Sequence, residues 1–156
     1  MLTMTEEVEV DQYCDRIEYV AGFLIDTAKE NVVLILKQHP PRLAGRFNGV
    51  GGKIEPGESP LAAMRREFWE ETGLVVQEWH NFLWFLGRET SIHFFSSFAP
   101  LETLSQVQTL TDEQVIVHPL ASLQDIPTLP NVGWVVQMAL TAEQYPTTNR
   151  YLVHEG

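Results

Sequence analysis

Two early stretches, Ile17–Ile25 and Asn31–Lys37, are dominated by β-branched and apolar residues and predict strands. Asp26–Glu30 between them is short and polar, so the pair is expected to form a hairpin. Gln38–Arg46 interrupts the apolar pattern with Pro40-Pro41 and predicts a loop. Phe47–Ile54 mixes glycine with apolar residues and predicts a strand that runs into a turn at Glu55-Pro56-Gly57-Glu58. Ser59 is a favoured N-cap, Pro60 suits the first helical position and Gly73 stands just past the end, which predicts a helix of about 12 residues between them. Leu74–Gln77 returns to extended structure, and Glu78–Arg88 with Ser91–Ala99 predicts a second hairpin around Gly87-Arg88-Glu89-Thr90. A polar stretch, Leu101–Glu113, precedes a strand at Gln114–His118 and a short helical turn within Pro119–Asp125. Pro127 and Pro130 bracket a loop, and a final helix is expected from about Asn131 to Gln144. Its apolar positions Val132, Val135, Val136, Ala139 and Leu140 have the three-and-four spacing of a buried face.

The pattern by itself yields a mixed α and β domain. With 156 residues, no internal repeat and no linker, one domain spanning 1–156 is expected, residues 1–15 forming a frayed or edge segment. The formal charge is 10 − 21 = −11, which argues against a nucleic-acid polymer or an anionic membrane as partner, since both need a basic footprint. A phosphorylated small molecule stays open, because bound cations reverse a local field. Cys14 stands alone and cannot form an internal disulfide. No basic start followed by an apolar run marks a signal peptide, and runs such as Val32–Leu36 are too short to span a bilayer, so a cytoplasmic location is expected. Either a monomer or a homodimer is compatible with these features.

Within the first predicted helix, Glu67 lies three residues from Glu70 and four from Glu71, so the three share one face about a turn deep. Crowding like charges there costs a few tenths of a kcal/mol per pair. Glu70 and Glu71 also stand at the helix C-terminus, the wrong end for the macrodipole. A Glu-rich helix face alone is ordinarily a solvated face. Here it follows a turn rich in glycine (Gly49, Gly51, Gly52), which lets backbone approach a ligand closely, and a further carboxylate, Glu58. Such a cluster of hard oxygen donors points to Mg²⁺ or Mn²⁺.

The full order is Gly52, five residues, Glu58, seven residues, Arg66-Glu67, apolar Phe68, Trp69, Glu70-Glu71, Thr72, Gly73 and apolar Leu74. At every defined position it resembles the Nudix box, the mark of hydrolases that cut diphosphate linkages with divalent metal. The resemblance implies an α/β fold: an α/β/α sandwich with a mixed sheet, a catalytic helix after a glycine-rich loop and a C-terminal helix. It implies that Glu67, Glu70 and Glu71 are catalytic metal ligands and that the Gly52 carbonyl is a further ligand. Arg66 is expected to pair with Glu58 and hold the loop against the helix. The general base stays open: a box glutamate, with Glu70 favoured, or a carboxylate outside the box, Asp112 or Glu113. Those last two read equally well as a polar loop before a strand.

The segment Phe47-Asn48-Gly49-Val50-Gly51-Gly52-Lys53 resembles the Trp-Asn-Gly-Phe-Gly-Gly-Lys approach to the box in the oxidised-purine triphosphatases of this family, and the chain as a whole is similar to MutT-like nucleoside triphosphate diphosphatases. That resemblance implies a base contact for Asn48. The region around Trp134, Asn131–Leu140, is similar to the final helix of those enzymes, although the aspartate pair that reads the oxidised purine is replaced by Pro130-Asn131. Trp134 is expected in the core, with a base contact as its alternative, and His39 is a candidate substrate contact in its loop. Trp79 and Trp84 are expected in the sheet, while His80, His93, His118 and His154 show no metal-ligand spacing. A nucleoside triphosphate is the expected substrate, with a nucleoside diphosphate sugar or ADP-ribose second. A nucleotide-sensing module that does not hydrolyse is the reading from another class, and the complete box stands against it.

Overall fold

A computed structural model of the chain describes residues 16–144 and 151–154. The segment 1–15, with its expected fraying and Cys14, lies outside them. The centre of the fold is β1 (Ile17–Asp26), which pairs in parallel with β6 (Thr90–Ala99) from Ile17↔Thr90 to Asp26↔Ala99. The other side of β1 runs antiparallel to β4 (Val50–Lys53), from Tyr19↔Lys53 to Gly22↔Val50. The remaining strands are β2 (Asn31–Leu36), β3 (Phe47–Asn48), β5 (His80–Leu86), β7 (Val115–Pro119) and β8 (Tyr151–His154). They complete an eight-stranded mixed sheet in which β2 pairs with β3 and β7, and β5 lies between β6 and β8.

Two helices cover the two faces, and side-chain alternation along β1 shows why its sequence reads as one apolar run. Ala21, Phe23 and Ile25 pack with Val132, Val135, Val136 and Ala139 of α3 (Val132–Gln144). Val20 and Leu24 pack with Ala63, Met64 and Phe68 of α1 (Pro60–Thr72). A strand covered on both faces needs apolar residues at every position. This is the expected α/β/α sandwich with its mixed sheet.

Local chemistry sets the limits of α1. The Ser59 hydroxyl accepts from the Ala62 amide at 3.1 Å, and Gly73 takes φ 72°, a left-handed C-cap whose amide donates to the Trp69 carbonyl at 2.8 Å. The first turn of α1 has no acidic residue and the last turn no basic one, so capping closes the helix and charge does not.

Several expectations need correction. Phe47–Ile54 is not one strand: β3 pairs with β2 and β4 with β1, Gly49 lying at the change of partner. Leu74–Gln77 forms no strand. The first hairpin pairs only at its turn end, Ile25↔Val32, because β4 and β7 take most of the edges of β1 and β2. A short helix, α2 (Leu101–Leu104), and strand β8 were not expected. Trp134 is no core residue; it is 41% exposed, on the outer side of α3. Trp79 sits one residue before β5, buried edge-on against Phe68 with ring centroids 5.1 Å apart.

The turn after β1 is organised by buried Asp26. Its carboxylate accepts from the Glu30 and Asn31 amides at 2.7 and 3.0 Å and from Asn31 Nδ2 at 2.9 Å. Burial works to raise its pKa, but the bonds from Asn31 and Glu30 outweigh it and hold the carboxyl below its ordinary value. Its stabilisation is therefore present above the unfolded pKa and is lost as pH falls through the lower folded one, below about pH 4. Asp26→Ala should cost about 2 kcal/mol at neutral pH, measured by urea unfolding, and the cost should shrink at acid pH. A neutral-pH loss no larger than that at acid pH would refute this account.

Candidate active site

The start of α1 and the loop before it converge through Arg66. Its Nε and Nη2 donate to Glu58 Oε2 and Oε1 at 2.7 and 2.8 Å, a two-point grip, and Nη2 also donates to the Lys53 carbonyl at 3.1 Å. Nη1 donates to Glu67 Oε1 at 2.8 Å and to Glu70 Oε2 at 3.2 Å. One guanidinium thus ties the turn to the helix and partly neutralises three carboxylates, and two of them, Glu58 and Glu67, raise its own pKa. β4 brings Gly52 directly against this cluster. A Cβ there would lie 2.5 Å from Glu67 Cδ, so a side chain at 52 would push the Glu67 carboxylate from its place.

The two carboxylates nearest Arg66 titrate in opposite directions. The hydrogen bond from Arg66 holds the Glu58 pKa below its ordinary value. Burial pushes Glu67 up, and its contact with the same arginine does not offset the lost hydration. Glu71 is likewise pushed up by burial, against a hydrogen bond from Thr111, with the charges of Glu113 and Glu70 raising it further and that of Lys37 lowering it. Negative charge here is therefore stored under strain, which a cation would relieve.

The rim comes from the loop before β7. Thr111 Oγ1 donates to Glu71 Oε2 at 2.8 Å. Glu113 is buried, and its carboxylate accepts from Lys37 Nζ at 2.7 Å, the Gln38 amide at 2.6 Å and the His39 amide at 3.4 Å. Asp112 is mostly exposed and faces His39 Nε2 at 2.5 Å. Asn48 Oδ1 accepts from the Gly49 amide at 2.8 Å, which leaves its NH₂ to donate.

The structure thus brings together Gly52, Glu58, Arg66, Glu67, Glu70 and Glu71, and joins them through Thr111 to Asp112, Glu113 and His39. Trp134 belongs to α3, on the face of the sheet opposite α1. Glu113 does lie in the loop before β7, but it is buried there, as a clamp on the Gln38–His39 backbone. Sequence reasoning missed Thr111 and Lys37. Thr111 meets Glu71 across 40 residues, a distance over which no periodic signal extends.

All-oxygen donors, two of them half-buried carboxylates with raised pKa, fit a hard divalent cation in chemistry. Among the described residues, however, no three His, Cys, Asp or Glu side chains converge as a ready cage. Arg66 engages the oxygens of Glu67 and Glu70 in this arrangement.

Comparison with known proteins agrees with this architecture. A family model described as the NUDIX domain matches residues 16–136. The oxidized purine nucleoside triphosphate hydrolase of Danio rerio is 51% identical over 38 residues, 24% of each chain. The chain thus spans well under half the length of the relatives it matches by sequence. A MutT structure, from work on Aliivibrio salmonicida and Vibrio cholerae, is 27% identical with TM-score 0.67, covering 81% of this chain and 98% of that one. The NUDIX domain of Shewanella oneidensis NrtR, solved with ADP ribose, shares the fold at 17% identity and TM-score 0.65, covering 82% of this chain and 88% of that one.

Proposed function

The chain belongs to the NUDIX domain family, and from that membership we propose that it hydrolyses the diphosphate linkage of nucleoside triphosphates in the manner of MutT-like diphosphatases, with Mg²⁺ or Mn²⁺ as cofactor. The observation that carries this reading is the grouping of Glu67, Glu70 and Glu71 on one turn of α1 against the open backbone of Gly52. A diphosphate resists water because its anionic oxygens repel a nucleophile. Bound divalent metal would neutralise those oxygens and lower the pKa of water.

In this reading Glu67, Glu70, Glu71 and the Gly52 carbonyl hold the metal. Arg66 and Glu58 lock the loop to the helix so that those donors keep their spacing. Glu70 is the best placed to take a proton from water. Its side chain is 46% exposed, and its bond to Arg66, at 3.2 Å, is longer than that of Glu67. Glu113 is a poorer base, since both of its oxygens accept hydrogen bonds from the Lys37–His39 segment. Its part is to shape the loop over the phosphates, with His39 and Asp112 at the rim. The resemblance of Phe47–Lys53 to the oxidised-purine triphosphatases, and the similarity to the Danio rerio protein, favour a triphosphate over a nucleoside diphosphate sugar or ADP-ribose.

One panel tests both reaction and base recognition. Full-length protein with Mg²⁺ should release pyrophosphate from one or more nucleoside triphosphates faster than it cleaves ADP-ribose or a nucleoside diphosphate sugar. Asn48→Ala should change relative kcat/KM among bases by about 1–3 kcal/mol, because a lost donor leaves one base acceptor unpaired. Equal slowing on every base would mean that Asn48, through its bond to Gly49, supports the turn and reads no base. Preferential cleavage of ADP-ribose would overturn the substrate class, and no turnover on any member would favour a sensing module.

A further inference from the structure

We infer that Thr111 is a positioning residue for Glu71, aiming its carboxylate for divalent-cation binding. The inference rests on Glu71 being a metal ligand, as proposed above. Residues 108–114 form a strap fixed at both ends. At one end the Gln108 amide donates to the Thr72 carbonyl at 2.9 Å, and Leu110 packs beside Gly73, where an added Cβ would meet its Cδ1 at 3.2 Å. At the other end the Leu36 amide donates to the Gln114 carbonyl at 2.8 Å, and Glu113 grips Lys37 and Gln38.

Thr111 lies between these anchors, and its hydroxyl has a set direction. The Glu113 amide donates to Thr111 Oγ1 at 3.1 Å, occupying an acceptor site, so the hydroxyl proton is free to point at Glu71 Oε2, 2.8 Å away. Glu71 ends a helix and carries three rotatable side-chain bonds. Without a partner its carboxylate would swing away from Glu67 and Glu70, which repel it. The hydroxyl opposes that swing from outside the ligand set, as partners behind metal ligands do. The methyl group of Thr111 contributes nothing to this, so serine should serve and valine should not.

The test is Mn²⁺ binding to the full-length protein, followed by calorimetry and by the electron paramagnetic resonance of free Mn²⁺, with Glu71→Gln beside the Thr111 variants. Thr111→Val should raise the Mn²⁺ Kd about 10-fold, and Thr111→Ser should stay close to wild type. The melting temperature in chelator should be unchanged in Thr111→Ser and lower by no more than about 2–4 °C in Thr111→Val, where Thr111 is exposed but the Glu113 amide loses its acceptor. Wild-type affinity in Thr111→Val overturns the inference, and so does a Thr111→Ser variant as weak as valine. Failure of the underlying reading looks different: the wild type binds no Mn²⁺, or Glu71→Gln binds it as tightly as wild type, and the inference then falls as well.

Discussion

Excess chelator should abolish nucleotide hydrolysis, and restoring Mg²⁺ should return it in full. This expectation follows from the electrostatics of α1. Burial raises the pKa values of Glu67 and Glu71 from their ordinary value, and neither Arg66 nor Lys37 offsets that burial. With raised folded-state pKa values, these two groups favour the folded state fully below the unfolded pKa of about 4.3 and lose that contribution as pH rises through the folded values. At neutral pH a divalent cation would take over the neutralising part that protons play in acid. Two measurements check this: the rate of pyrophosphate release across a Mg²⁺ titration, and the melting temperature at neutral pH with and without Mg²⁺. The metal should raise the melting temperature, because it binds the folded site and not the unfolded chain. Undiminished turnover in chelator would sink the proposal.

Glu70→Gln and Glu71→Gln should each lower kcat by at least about 100-fold while the fold persists, the scale of losing a metal ligand or a general base. Glutamine keeps the shape and removes one charge. For Glu71 the charge removed is one that the fold resists, so Glu71→Gln should leave the melting temperature in chelator unchanged or raised. Glu70 differs in position, with nearly half of its side chain exposed and a longer bond to Arg66. If it also removes the proton from water, Glu70→Gln should lower kcat by more than its loss of Mn²⁺ affinity accounts for, whereas Glu71→Gln should weaken the two together. Near wild-type kcat in either variant would remove that residue from the mechanism. Strong destabilisation in chelator would assign it a structural part instead.

Much of the architecture was legible because its causes are local. Ser59, Pro60 and Gly73 bound α1 through single hydrogen bonds and one left-handed residue, and the structure has that helix at Pro60–Thr72. The apolar residues of α3 at three-and-four spacing face the sheet as expected. Where the reading failed, the cause was distant. Phe47–Ile54 looks continuous in sequence, but its two strands, β3 and β4, pair with different partners, β2 and β1. Trp134 has the apolar character of a core residue, but its neighbours Val132, Val135 and Val136 take the buried side of α3 and leave it exposed.

The site divides along the same line. The number and spacing of the carboxylates on α1, the glycine-rich turn and the charge pattern opposed to the helix dipole are properties of neighbouring residues, so the sequence alone determined them. Tertiary structure decided how each carboxylate behaves. Glu58 and Glu67 meet one arginine but titrate in opposite directions, because hydrogen bonding dominates at the first and lost hydration at the second. Glu113 becomes a buried clamp and Thr111 a partner of Glu71 only because β2 and β7 pair and carry the strap across the end of α1. Helical period and capping act over a few residues and leave a trace in the sequence. Desolvation and hydrogen bonds across the sheet depend on which distant segments meet, which strand register sets.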